Sequence, residues 1–60
     1  METISDTVAK YTNKALTLND VDTASKLMWL LNAIEGSLIV EEDACFYLVE
    51  IVNGWRNYNG

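Results

Sequence analysis

Apolar residues recur along this chain with the period of an α-helix, but their phase changes near residues 18–20. The first stripe covers about 80° of a helical wheel and consists of Ile4, Val8, Tyr11, Ala15 and Leu18. In one continuous helix, the second stripe would lie about 170° away; it consists of Val21, Ala24, Leu27, Met28, Leu31 and Ile34. Because one helix cannot bury opposite faces against a single layer, the sequence predicts a turn between two helices.

Capping residues predict where the helices begin and end. The first helix is expected over about residues 5–17 and the second over about 20–35, since Asn19 or Asp20 can cap a new helix. Gly36 is well placed as the left-handed residue that ends the second helix. The third is expected over about 41–53, because acidic residues there complement the charge of a helix N-terminus, and Gly54 follows it. Residues 37–40 fit either a connection or a first helical turn, and residues 56–60 fit a frayed tail.

The fold class expected from this pattern is all-α. The third helix has its own inner stripe, with Cys45 at its edge: Ala44, Leu48, Ile51, Val52 and Trp55. Three helices joined by short turns indicate one helical domain over residues 1–55, either a small three-helix bundle or a helical hairpin plus one helix. A domain of this size buries only about 60% of its unfolded surface, and one cysteine cannot form an internal disulfide. Tight helix packing, self-association or a partner could then stabilise it, and we expect assembly as a homodimer.

The charge of the chain restricts its partners. Nine acidic residues against four basic ones give a net charge of −5. Because nucleic-acid binding depends on lysine and arginine, we expect no direct nucleic-acid binding and favour a protein partner with a basic surface. The longest apolar runs, residues 27–31 and 44–49, are too short to cross a membrane, so we expect no membrane association. Residues 1–6 do not resemble a signal peptide, which favours a cytoplasmic location.

Catalytic and metal-binding chemistry has little support in the sequence. The chain contains no histidine, so its serines and Cys45 lack the usual activating base, and we expect no enzyme activity and no cofactor. Cys45 is predicted to be a buried structural thiol. Adjacent acids on a helix point in different directions, so Glu41, Glu42 and Asp43 are interpreted as solvated charge at a helix N-terminus and not as a metal site.

Aromatic residues on polar helix faces are the most informative feature. Trp29 is predicted to project among Asp22, Ser25, Lys26 and Ala33. Phe46 is predicted to project among Glu42, Asp43, Glu50 and Asn53, with Tyr47 at the edge of that face. Large exposed aromatics are favoured anchors of protein interfaces. Three interpretations stay open: the faces are internal after all, they form a homodimer seam, or they bind a different protein.

These patterns favour a small acidic intracellular protein-binding module that acts by occluding the surface of a larger protein. Its concrete form would be a phage or mobile-element inhibitor of a host enzyme or defence complex. The expected protein-binding residues are the anchors Trp29, Phe46 and Tyr47 and the steering acids Glu42, Asp43 and Glu50, with Glu41 beside them. The alternative is a structural or assembly subunit whose aromatic patch serves only homo-oligomerisation.

Overall fold

The computed structural model describes residues 2–55, which form three helices and no strand. Helix α1 covers Ile4–Thr17, α2 covers Val21–Glu35 and α3 covers Glu41–Asn53. The predicted all-α, three-helix fold is confirmed, and each helix begins within one residue of its predicted start. Residues 37–40 are a connection between α2 and α3. The predicted frayed tail, residues 56–60, lies outside the described residues.

Side chains at the N-termini explain why two of the helices begin where they do. In α1, the Asp6 backbone N–H donates to Thr3 Oγ1 at 3.2 Å, and the Thr3 backbone N–H donates to Asp6 Oδ2 at 3.3 Å. This reciprocal capping box satisfies donors that have no partner inside the helix. In α2, Asp20 is the cap and accepts from both the backbone N–H and the hydroxyl of Thr23, at 3.2 Å and 2.9 Å.

The C-termini of α1 and α2 end in the same type of turn. Ser37 has a φ of 56° and donates its N–H to the Ile34 carbonyl, while Leu38 donates to the Ala33 carbonyl. This pair of bonds is a Schellman motif, in which the residue after the C-cap is left-handed. The prediction that Gly36 is left-handed is therefore wrong: Gly36 is the C-cap, with a φ of −83°, and Ser37 takes that conformation.

The core lies where all three helices meet, with α1 and α2 in the most extensive contact. Its buried residues are Val8, Ala15, Ala24, Leu27, Leu30, Ala44, Leu48 and Trp55. Trp55 is 1% exposed just beyond α3 and makes an edge-to-face contact with Tyr11 of α1, with ring centroids 6.4 Å apart. This contact fixes the end of α3 against α1.

Four positions predicted to lie inward are exposed instead. Val21 and Met28 are 65% and 49% exposed and Leu18 is 42% exposed. Ala33, which was predicted to lie on the polar side beside Trp29, is buried and only 4% exposed. The buried face of α2 is thus rotated toward Leu30 and Ala33, because α2 contacts both α1 and α3. The fourth is Cys45, which is exposed and not a buried thiol, since it lies at the edge of an α3 face whose buried helical positions are Ala44 and Leu48.

No helix within residues 2–55 combines the length and the apolar character needed to cross a lipid bilayer.

Candidate functional site

Two of the three predicted aromatic anchors meet on the surface between α2 and α3. The rings of Trp29 and Tyr47 lie 5.8 Å apart, centroid to centroid, and are inclined by 84° in an edge-to-face arrangement. Trp29 is 56% exposed and Tyr47 is 43% exposed. Edge-to-face aromatic pairs are a favourable geometry, so the two helices hold a preformed aromatic surface that faces solvent.

The two rings line an open groove of about 390 Å³, one from each helix. The groove is lined by Asp22, Ser25, Lys26, Trp29, Tyr47 and Ile51. The α2 residues recur at the spacing of one helix face, and the two α3 residues are four positions apart, so each helix contributes one stripe. Ser25 is small and leaves the indole of Trp29 accessible. The volume is in the range of sites that receive a small molecule or a single large side chain.

An exposed ion pair lies at the edge of the groove. Lys26 Nζ is 3.7 Å from Asp22 Oδ2, and the two side chains are 63% and 87% exposed. Such a separation is longer than a charge-assisted hydrogen bond, and an exposed pair of this kind contributes little to stability. Both groups are therefore free to rearrange when a ligand enters.

Acidic residues of α3 flank the aromatic pair. Asp43 lies four residues before Tyr47 and Glu50 three residues after it, and both are exposed. Residues at these spacings are neighbours on a helix surface. The surroundings of the groove are therefore more acidic than basic, and Lys26 is the single cation among the lining residues.

Phe46 does not line the groove. It is 65% exposed on the outward side of α3, at helix-neighbour spacing from Glu42 and Glu50, with the 56% exposed Val49 three residues further on. The predicted binding residues thus divide between two surfaces. Trp29 and Tyr47 line the groove, and Phe46 and Glu42 lie on the outward side. Asp43 and Glu50 lie between the two surfaces, at helix-neighbour spacing from both Phe46 and Tyr47.

A second, smaller concavity of about 210 Å³ lies on α1 beside Tyr11. Glu2 forms an ion pair with Lys10 there and accepts a hydrogen bond from the Thr7 hydroxyl at 2.9 Å. The hydrogen bond with Lys10, and then that from Thr7, holds the pKa of Glu2 below its ordinary value. The same contact with Glu2 raises the pKa of Lys10. Because Glu2 and Lys10 are already paired with each other, this concavity is a weaker candidate binding site than the groove.

Sequence reasoning singled out Trp29 on the α2 side of the groove and Tyr47 on its α3 side, but it missed Ile51. The helical wheel places Asp22, Ser25 and Lys26 around Trp29. It assigns Ile51 to the core, whereas Ile51 is half-buried and lines the groove. The contact between Trp29 and Tyr47 has no signal in the sequence, because it depends on how α3 crosses α2.

The groove offers stacking surfaces, apolar contact and ion pairing, which are the means of binding. Among residues 2–55, no three histidine, cysteine, aspartate or glutamate side chains converge as a possible set of metal ligands. Neither a protein-family model, nor a curated protein, nor a solved structure shows significant similarity to this chain.

Proposed function

We propose that this protein is a small acidic binding module that attaches to a basic surface of a larger protein through the Trp29–Tyr47 groove. The observation that carries the proposal is the exposed edge-to-face contact of these two rings, 5.8 Å apart. Tryptophan and tyrosine are the residues most enriched among interface anchors. A pair already fixed by two helices loses little conformational freedom on binding, which favours affinity.

The acidic residues around the groove support a basic partner. Asp43 and Glu50 flank Tyr47, and Glu41 and Glu42 are exposed at the start of α3. Acids in such positions attract a basic surface and increase the rate of encounter more than they increase affinity. We therefore expect partner association to slow as salt rises, because exposed charges are screened.

The biological form that we propose is an intracellular inhibitor encoded by a phage or mobile element. It would occlude a surface of a host enzyme or defence complex and would need no catalytic group of its own. The absence of histidine from the sequence supports a binding role over an enzymatic one. A single, exposed cysteine suits a reducing compartment such as the cytoplasm.

A second candidate function is homo-oligomeric assembly through the outward side of α3. Phe46 and Val49, 65% and 56% exposed, favour it. However, Glu42 and Glu50 lie at helix-neighbour spacing from Phe46, so a symmetric α3–α3 contact would bring like charges together. Light scattering over a concentration series tests this candidate: Phe46→Ala would abolish a dimer formed through α3, and a strict monomer at high micromolar concentration would remove the candidate.

Partner capture with matched variants tests the proposed function. The wild type, Trp29→Ala and Phe46→Ala are immobilised in parallel and exposed to host extract, and retained proteins are then purified and titrated calorimetrically. We expect Trp29→Ala to weaken binding of the purified partner by about 2 kcal/mol or more, as an anchor does. Phe46→Ala serves as the control for loss of an exposed aromatic outside the groove. Equal binding by wild type and Trp29→Ala would exclude the groove as the binding site.

A further inference from the structure

We infer that the Trp29–Tyr47 groove receives an arginine side chain of the partner, with the guanidinium stacked on the aromatic pair and paired with the Asp22 carboxylate. This inference rests on the proposed function and adds the chemical identity of the group that enters the groove. The walls of the groove, its exposed ion pair and the charge around it each point to a planar cation.

The aromatic pair provides the stacking surface. In an edge-to-face pair one ring directs its edge at the face of the other, and the exposure of Trp29 and Tyr47, 56% and 43%, shows that ring surface remains open to solvent. A guanidinium is planar and weakly hydrated, and it stacks on aromatic faces at little desolvation cost. The groove volume of about 390 Å³ accommodates such a side chain.

Asp22 provides the carboxylate. Its side chain is 87% exposed, and its contact with Lys26 Nζ, at 3.7 Å, leaves its oxygens available for closer hydrogen bonds. Carboxylates bind guanidinium groups through two parallel N–H···O bonds, a geometry that an ammonium cannot match. Lys26 lies on a flexible stem and is 63% exposed, so it can move into solvent when arginine takes its place.

Charge distinguishes a basic partner from a second copy of the chain. Asp22 lines the groove and Asp43 and Glu50 flank Tyr47, against the one cation Lys26 among the lining residues. A second copy would bring its own net charge of −5 to this acidic surface. Like-charge repulsion opposes that contact, whereas an arginine-bearing surface is attracted to it.

NMR titration of the full chain with a blocked tetra-arginine peptide tests the inference, with a tetra-lysine peptide as the matched probe. The indole N–H signals report two environments, because Trp29 is exposed in the groove and Trp55 is 1% exposed in the core; Trp29→Phe assigns the groove signal. We expect tetra-arginine to move the Trp29 signal saturably and to leave that of Trp55 in place. Tetra-lysine should bind about three- to tenfold more weakly, since it cannot stack as a plane.

Three charge variants test the role of Asp22. Asp22→Asn should weaken tetra-arginine binding about three- to tenfold, whereas Lys26→Gln should strengthen it by removing the competing cation. Glu35→Gln is the control for Asp22→Asn, because it removes one negative charge from α2 at an exposed position outside the groove. It should change the affinity for tetra-arginine by less than about twofold.

Three results would overturn the arginine assignment: an unmoved Trp29 signal, equal affinity for the two peptides, or equal effects of Asp22→Asn and Glu35→Gln. If the purified partner still requires Trp29 after such a result, the proposed function stands and the arginine assignment alone fails. If the partner does not require Trp29 either, both fail.

Discussion

At the scale of single residues, the two left-handed positions that end helices differ in their chemistry. Asn19 has a φ of 60° and Ser37 a φ of 56°. In this conformation the β-carbon of any residue lies close to the following carbonyl oxygen, and asparagine tolerates it better than serine because its side chain can hydrogen-bond locally. Ser37 is thus a local point of strain in the connection between α2 and α3.

Replacing Ser37 by glycine is expected to stabilise the protein. The left-handed conformation costs most residues about 1–2 kcal/mol, and the greater flexibility of unfolded glycine offsets part of that gain, which leaves about 0.5–1 kcal/mol. Urea unfolding followed by circular dichroism measures the change. The control is Ser25→Gly, the same substitution inside α2, which should lower stability by about 0.5 kcal/mol. A loss of stability in Ser37→Gly would contradict this account of the turn.

The Glu2–Lys10 contact predicts an altered titration at the N-terminus of α1. Because Lys10 and then Thr7 lower the pKa of Glu2, its stabilising contribution is complete above the ordinary glutamate pKa and is lost as the pH falls through the lowered value. The stabilising contribution of Lys10 depends on pH in the opposite direction. Because Glu2 raises the pKa of Lys10, this contribution is complete below the ordinary lysine pKa and is lost as the pH rises through the raised value.

An NMR titration of the Glu2 carboxyl should therefore give a pKa below the ordinary glutamate value in the wild type. Lys10→Met removes the largest cause of the lowered pKa and should raise the pKa of Glu2 most of the way to the ordinary glutamate value. Thr7→Val removes the second cause and should raise it by less. An unchanged Glu2 titration in Lys10→Met would show that the ion pair does not form in solution.

At the scale of elements, Asp20 joins two helices. Its backbone N–H donates to the Ala15 carbonyl at 2.8 Å and completes the turn that ends α1, and its carboxylate caps α2 through Thr23. All three residues of the connection between α1 and α2 donate their backbone N–H groups to carbonyls of α1. This short, hydrogen-bonded turn holds α1 and α2 as a hairpin.

Loss of the Asp20 cap is expected to destabilise that hairpin. Asp20→Ala should lower the free energy of unfolding by about 1–2 kcal/mol, because two hydrogen bonds at the start of α2 are lost. Asp20→Asn should change it by less than about 0.5 kcal/mol, since asparagine caps equally well. Thermal unfolding measures the stability of both variants. Equal stability of Asp20→Ala and Asp20→Asn would show that the carboxylate does not cap α2.

The positions of the helices were predictable because their signals are local. The phase change of apolar residues, the capping residues near 19–20 and the glycines at 36 and 54 lie within a few residues of the boundaries that they predict. The left-handed Ser37 was not predictable, since Gly36 directly before it is the more common choice. The capping box of Thr3 and Asp6 is readable in the sequence, yet the predicted start at residue 5 overlooked it.

At the scale of the whole molecule, what the sequence could not predict is how the helices are rotated and crossed. Val21 and Met28 belong to the apolar stripe of α2 but face solvent, whereas Leu30 and Ala33 are buried. The candidate site was likewise predictable only in part. A helical wheel predicts that Trp29 is exposed, but its contact with Tyr47 depends on how α2 and α3 cross.

A pair of aspartate substitutions distinguishes the core from the surface. Leu30 is 0% exposed, and Leu30→Asp should unfold the protein, since a lost core leucine costs about 2–5 kcal/mol even before a charge is buried. A domain this small has only about 3–5 kcal/mol of stability from its core. Phe46 is 65% exposed, so Phe46→Asp should keep its helical circular dichroism. A folded Leu30→Asp variant would mean that the core is assigned incorrectly.

The connection between α2 and α3 also determines where a protease would cut. Leu38 and Val40 are 79% and 63% exposed there, and exposed loop tips are the preferred sites of nicking. After cleavage the α1–α2 hairpin would keep its own turn and cap, while α3 would be held only by the packing of side chains such as Ala44, Leu48 and Trp55 against the hairpin. Because Trp29 and Tyr47 would then belong to separate fragments, a cut at residues that do not line the groove would separate its two sides.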